Sequence, residues 1–302
     1  MTAEQRMLTL SVPQHPVDVV LDTDAYNEID DQFAIAYLLK HGEKLHTKAI
    51  YAAPFKNERS ESAADGMEKS YREIGKVLEL CGESKEVFRG SDRFLPDEQT
   101  PVLSDAAKDL VHRAKGYSPE RPLYVVAIGA ITNIASAILM DPAITESIVV
   151  VWLGGNALHY RDTREFNLMQ DIAAARVVFG SGVPLVMLPC MGVVSAFTVS
   201  RPELEHWFVG KNPLATYLAE NTIAAAERYA AGKPWTRVIW DVTAVAWLLN
   251  DRDRFMLSRT VLTPMPTYAH QYTALENAQS ARYVYHIWRD ALLQDLVDTI
   301  CR

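Results

Sequence analysis

Asp22, Asp24, Glu28, Asp30 and Asp31 fall within ten positions of the stretch VDVVLDTDAYNEIDDQFAIAYLLK, residues 17–40, with apolar residues on both sides. Carboxylates this close repel one another, and the repulsion is relieved when a cation sits among them or when some are protonated. One or two acids need no such explanation, because an Asp before a helix can cap it and acids in a first turn favour the helix dipole. Five exceed that need and point to a metal-binding or acid–base site. The flanks say which elements must hold them. Val17 to Leu21 is a β-branched run of the kind that forms a buried strand, and Phe33 to Leu39 is apolar enough for a buried helix, so the acids occupy a strand-to-helix turn.

Further apolar, β-rich runs recur at Lys48 to Ala52, Leu123 to Ile128, Ser147 to Leu153 and Pro184 to Leu188. Helical patterns are expected at Ala63 to Leu80, Asp105 to Ala114, Ile134 to Leu139, Asp171 to Phe179, Pro213 to Tyr229, Val242 to Leu249 and Asp290 to Ile300. Runs such as YVVAI and IVVVWL are apolar throughout, which suits strands covered on both faces. The expected fold is α/β, a single domain built on an open, mainly parallel sheet with helices on both faces and a Rossmann-like core. It spans residues 1–302, with 1–16 as a flexible extension.

In such sheets ligands bind beyond the carboxyl ends of the strands. GAITN (129–133) follows YVVAI, while GGN (154–156) and REFN (164–167) follow the run ending at Leu153, so these polar segments share an edge with the acidic turn. Asp241 interrupts the apolar stretch RVIWDVTAVAWLL, where a charge is costly unless paired, solvated, metal-bound or capping a helix.

Composition narrows the alternatives. The 302 residues are enough for a substantial core. The formal charge of −8 is spread along the chain without a basic stripe, which argues against nucleic acid. Cys81, Cys190 and Cys301 are far apart and lack zinc spacing, as suits a reducing compartment. The first residues lack a long apolar core after a basic stretch, and no segment reaches the length of a membrane span. The expectation is a soluble, cytoplasmic protein with no membrane partner.

The series LDTD…DD, GAITN, GGN…EFN and WDVTAVA, in that order, resembles the inosine-uridine-type nucleoside hydrolases from about residue 17 onward, most loosely in the C-terminal third. The resemblance implies calcium held by the carboxylates of Asp24, Asp31 and Asp241 and the backbone carbonyl of Thr132, an all-oxygen set suited to a hard cation. It implies Asp22 as support behind these ligands. Asp30, Glu165 and Asn167 are implied on ribose hydroxyls, with Asn57, Asn156 and His159 as further substrate contacts. Cleaving an N-glycosidic bond develops positive charge on the ribosyl ring. Asp24 is then the expected general base for a water held by the metal, and ribose and a free base are the products. A homodimer or homotetramer is implied as well.

Two departures bear on the chemistry. The turn from Asp24 to Asp30 carries AYNEI, two residues longer than the usual motif, and Asn27 and Glu28 are expected to face solvent. Trp240 stands where many members have a histidine that protonates the leaving base, and indole cannot do this, although it can stack on a base. By residue type, His159, Tyr160, Tyr283, Tyr285 and His286 are the alternative acids. Trp240 also opens the reading of a non-catalytic or weakly active ribosyl-binding homologue, or of a hydrolase for another ribosyl compound. LDTDAY is similar to the nucleophile signature of haloacid-dehalogenase-type phosphatases, but Tyr26 fails its last position and the second acidic pair lies in the same loop.

Overall fold

A computed structural model describes residues 2–301. In chain order its strands are β1 (Val17–Thr23), β2 (Leu45–Ala52), β3 (Val87–Arg89), β4 (Leu123–Ala127), β5 (Ile148–Leu153), β6 (Leu185–Leu188), β7 (Thr198–Ser200), β8 (Thr236–Val238), β9 (Met256–Leu262), β10 (Met265–Pro266), β11 (Tyr272–Thr273) and β12 (Ser280–Ile287). Eight of them form one sheet in the order β3-β2-β1-β4-β5-β6-β12-β9. Every neighbouring pair is parallel except the last, where β9 runs antiparallel to β12. The expected single α/β domain with a mainly parallel sheet is what forms.

The apolar runs become central strands because both of their faces are covered. Val19 and Leu21 of β1 pack into one core layer and Val20 into the other. In β5, Val149, Val151 and Leu153 alternate in the same way with Ile148, Val150 and Trp152. Helices Asp31–Lys40, Val242–Trp247 and Arg289–Ile300 contribute to the first layer, and helices Asp105–Ala114, Thr132–Met140 and Ile172–Gly180 to the second.

Two parts of the fold were not anticipated. Strands β12 and β9 complete one side of the sheet with β9 at its edge, and Arg282 and Arg259 interrupt the apolar pattern of the two strands. Residues 2–16, expected as a flexible extension, include helix Ala3–Thr9, which is opened by a capping box between Thr2 and Gln5. Its Arg6 guanidinium is buried and donates to the carbonyls of Gly182, Val183 and Ser280, tying the helix to the β6 and β12 side of the sheet. Among the described residues no helix is long and apolar enough to cross a membrane.

Candidate functional site

Strand β1 delivers Asp22 and Asp24 to the carboxyl edge of the sheet, and the chain turns through residues 25–30 into helix Asp31–Lys40. The Asn27 N–H closes this turn on the Asp24 carbonyl at 2.7 Å. Asp30 and Asp241 occupy the N-cap positions of helices Asp31–Lys40 and Val242–Trp247, yet neither side chain caps its helix. The capping role open to Asp241 from sequence is therefore not taken. Instead, carboxylate oxygens of Asp30, Asp31 and Asp241 all lie within 4.8 Å of one another, and all three residues are buried. The Asp241 N–H also points at Asp30 Oδ2, 3.4 Å away.

Asp24 stands beside this group with both carboxylate oxygens buried and without a hydrogen-bond partner. Gly129 leaves the space for it, since a Cβ there would sit 3.1 Å from Asp24 Cγ and Oδ1 and equally close to the Ala53 side chain. Such unsatisfied acceptors are costly and mark a position for a cation or a proton. Burial and the charges of Asp31 and Asp30 push the Asp24 carboxyl well above the usual range. Burial first, then Asp30, lifts Asp31 to about 8, although the Thr23 hydroxyl donates to it. Asp30 is lifted to about 6 by burial and by Glu28, and Asp241 well upward by burial and by Asp30. An all-oxygen set that repels itself this strongly fits a hard divalent cation.

Asp22 lies behind the group. Its Oδ1 accepts from Asn133 Nδ2 at 2.7 Å, its Oδ2 has no partner, and burial lifts it to about 7. Asn133 also donates to the Ala52 carbonyl at 3.3 Å and accepts from Ser91 N and Oγ at 2.7 and 2.8 Å, so one amide joins three strand ends. Asn133→Leu leaves these groups buried and unpaired, and we expect it to destabilise the protein by about 3 kcal/mol in urea unfolding. A change below about 1 kcal/mol would remove Asn133 as a hub.

A cavity of about 270 Å³ opens above the acids, walled by Asp24, Asn27, Glu28, Asp30, Asp31, Ile128, Leu153, Arg164, Glu165, Phe166, Asn167, Cys190, Met191, Trp240 and Asp241. The model of the inosine-uridine preferring nucleoside hydrolases matches residues 19–291, the span that builds both the sheet and this cavity. The chain belongs to the nucleoside hydrolase family.

Relatives and folds agree with that placement. The pyrimidine-specific ribonucleoside hydrolases RihA of Citrobacter koseri and Salmonella newport are each 29% identical over 162 residues, 52% of this chain. The chain thus matches about half the length of these curated relatives, 51% in each case. Among solved structures, the purine-preferring ribonucleoside hydrolase of Gardnerella vaginalis superposes with a TM-score of 0.75 at 19% identity, covering 94% of this chain and 98% of that one. The type III effector XopQ, solved with adenosine diphosphate ribose, superposes with a TM-score of 0.70 at 19% identity over 99% and 96% of the two chains. At such identity these likenesses concern the fold.

In this member of the family, four of the expected site residues lie outside the cavity wall. Asp24, Asp30, Asp31, Glu165, Asn167, Trp240 and Asp241 reach the cavity wall, whereas Asn57, Thr132, Asn156 and His159 are not part of it. Asn57 instead donates to Asn27 Oδ1 at 2.7 Å and so holds a residue that is. The Thr132 hydroxyl donates to Asp171 at 2.7 Å. Asn156 is buried and donates to the Asp162 carbonyl at 2.9 Å, leaving its Oδ1 unpartnered, and His159 is exposed against Tyr160. Asp30, expected on ribose, has an oxygen within the carboxylate cluster itself. Glu165 lies in the wall, but its carboxylate accepts from the N–H groups of Gly155, Asn167 and Leu168, opening helix Phe166–Gln170. Asn167 Nδ2 donates to the carbonyls of Ile128 and Leu153, at 3.2 and 3.0 Å, and pins two strand ends together.

The lengthened turn also differs from expectation, since Asn27 and Glu28 line the cavity, although the Glu28 side chain stays partly open to solvent. Arg59 is the reason. Its guanidinium lies 4.4 Å from the Tyr26 ring centroid and donates to the carbonyls of Asn27 and Glu28, while Arg237 pairs with the Glu28 carboxylate. Arg164, Phe166, Cys190 and Met191 were not singled out by sequence. The last two follow β6 directly, so the strand-end rule applied once more would have found them.

Proposed function

We propose that this protein hydrolyses the N-glycosidic bond of ribonucleosides to ribose and free base, with calcium as its cation. The observation that carries this reading is Asp24, whose two buried, unpartnered oxygens stand beside the Asp30, Asp31 and Asp241 cluster at the floor of a cavity in a nucleoside hydrolase chain. Asp24, Asp31 and Asp241 would hold the cation, and Asp30, whose carboxylate shares their cluster, would also serve the sugar. Bound there, calcium would polarise water and clasp the ribose hydroxyls.

The chain's own groups supply the rest. Asp24 accepts the proton of the attacking water, and Asp22 supports it from behind. Carboxylates around the sugar stabilise the positive charge that develops on the ribosyl ring. Asn167, pinned through its amide nitrogen, fixes one side of the sugar pocket, and Ile128, Leu153 and Met191 keep bulk water from it. Incubation with calcium and a panel of purine and pyrimidine ribonucleosides should release reducing sugar from at least one of them. Tight nucleoside binding with no release from any would favour the second reading, a ribosyl-binding protein, which draws support from Trp240 in the wall and from the ligand of XopQ.

A further inference from the structure

The lengthened turn carries an amide whose orientation its neighbours dictate. The N–H of Arg59 donates to Asn57 Oδ1 at 2.8 Å. A backbone N–H can only donate, so this bond decides which end of the Asn57 amide is the oxygen. Asn57 Nδ2 then donates to Asn27 Oδ1, 2.7 Å away. That second bond fixes the Asn27 amide in turn and leaves Nδ2 as its free end. Among the described residues no protein group accepts from Asn27 Nδ2. Asn27 lines the cavity and is half-buried, so this donor is open to a bound ligand. Its backbone is held as well. The Asn27 N–H donates to the Asp24 carbonyl at 2.7 Å, the Asn27 carbonyl accepts from the Arg59 guanidinium at 3.3 Å, and the neighbouring Tyr26 N–H donates to Ser70 Oγ at 3.3 Å. A donor fixed in place before the ligand arrives loses little freedom on binding.

We propose that Asn27 contacts the substrate, its amide donating to the base at the acceptor atom next to the glycosidic nitrogen. This rests on the hydrolase reading above and adds a contact with the base to it. The rest of the wall explains why the partner is the base and not the sugar. Asp24, Asp30, Asp31 and Asp241 make the floor an acceptor surface, to which sugar hydroxyls donate their protons while their oxygens turn to the proposed cation. The base keeps an unmet acceptor. Every common purine has N3, and every common pyrimidine a C2 carbonyl oxygen, beside the nitrogen that joins the sugar. As the C1′–N bond breaks, its electron pair enters the ring and negative charge gathers partly on that atom. The water's oxygen joins C1′, its proton passes to Asp24, and the departing base takes a proton from solvent. Asn27 keeps its own proton throughout, and its hydrogen bond strengthens as the charge builds, which favours the transition state over the bound substrate. Asn57 and Arg59 are positioning residues for this donor.

The test compares two substrates that share the sugar on the calcium-loaded protein: the best-cleaved ribonucleoside, and p-nitrophenyl riboside, whose leaving group has no acceptor beside the bond that breaks. In Asn27→Ala the ratio of kcat/KM for the nucleoside to kcat/KM for p-nitrophenyl riboside should fall at least 30-fold. Asn57→Ala, which frees the Asn27 amide to turn, should lower the same ratio at least fivefold. A contact with the sugar, or a turn that merely shifts, would lower both substrates alike and leave the ratio where it was. An unchanged ratio in either folded variant therefore overturns the proposal while the hydrolase reading stands. Cleavage of neither substrate by the unaltered protein overturns both. If a variant does not fold, competition on the unaltered protein decides. Adenosine is set against 3-deazaadenosine, and uridine against its counterpart lacking the C2 carbonyl, as inhibitors of p-nitrophenyl riboside hydrolysis. The member with the acceptor should inhibit at least fivefold better in one pair or both, and equal inhibition within both pairs would refute the contact.

Discussion

Asp24→Asn should lower ribose release by about 10³- to 10⁴-fold at saturating calcium, the loss expected if it is the general base proposed for the reaction. The exchange is nearly isosteric, so circular dichroism should report an unchanged fold. Asp22→Asn is the informative comparison. Its oxygen can still accept from Asn133, and the residue lies behind the cluster outside the cavity wall, so at saturating calcium it should lose less than about tenfold while needing more calcium. Steady-state assays of both variants decide the assignment. If Asp24→Asn keeps more than a tenth of the original rate, Asp24 is not the base.

The second large effect concerns stability. Without a cation, burial and neighbouring carboxylates push Asp30, Asp22 and Asp31 up to about 6, 7 and 8 and raise Asp24 and Asp241 as well, from 3.8 in an unstructured chain. Between about pH 4 and pH 8 the folded state therefore holds protons that the unfolded state has lost. Stability conferred by these carboxyls is greatest at the acid end of that window and falls as pH rises through the folded values. The melting temperature of chelator-treated protein should decline from pH 5.5 to pH 8. Calcium bound as proposed would replace those protons, so its stabilisation should grow with pH and reach roughly 3 kcal/mol at a hundredfold excess over Kd, or about 5 °C or more. A chelated protein whose melting temperature is flat or rises over that range would contradict the electrostatic picture of the cluster.

What the sequence disclosed follows from how local each cause is. The β1 run and the acids after it were readable because a covered parallel strand needs continuous apolar residues and its carboxyl end is where ligands gather. Asp241 was readable for a different reason, since a charge inside an apolar stretch is costly unless it is paired, solvated, metal-bound or capping a helix. The orientation of Asn27 and Glu28 was not readable, because it depends on Arg59 and Arg237, which meet the turn only in the folded chain. Glu165 looked like a sugar ligand by type, while its oxygens are committed to three backbone N–H groups that no spacing rule reveals. Strand β12 escaped notice because its buried and exposed positions follow no clean alternation and its pairing with β6 crosses a long stretch of chain.

Helix Asp31–Lys40, which presents Asp31 to the cluster, is braced from behind by helix Arg289–Ile300, with the Tyr37 hydroxyl donating to Asp295. The carboxylate that faces Asp31 and Asp30 arrives with Asp241. The site is therefore a late product of folding: during synthesis the aspartates of the first turn emerge long before the partner carboxylate and the brace that fix them. Until then a nascent chain carries the acidic motif without the geometry, so capture of the cation reports completion of the tertiary structure, not appearance of the motif.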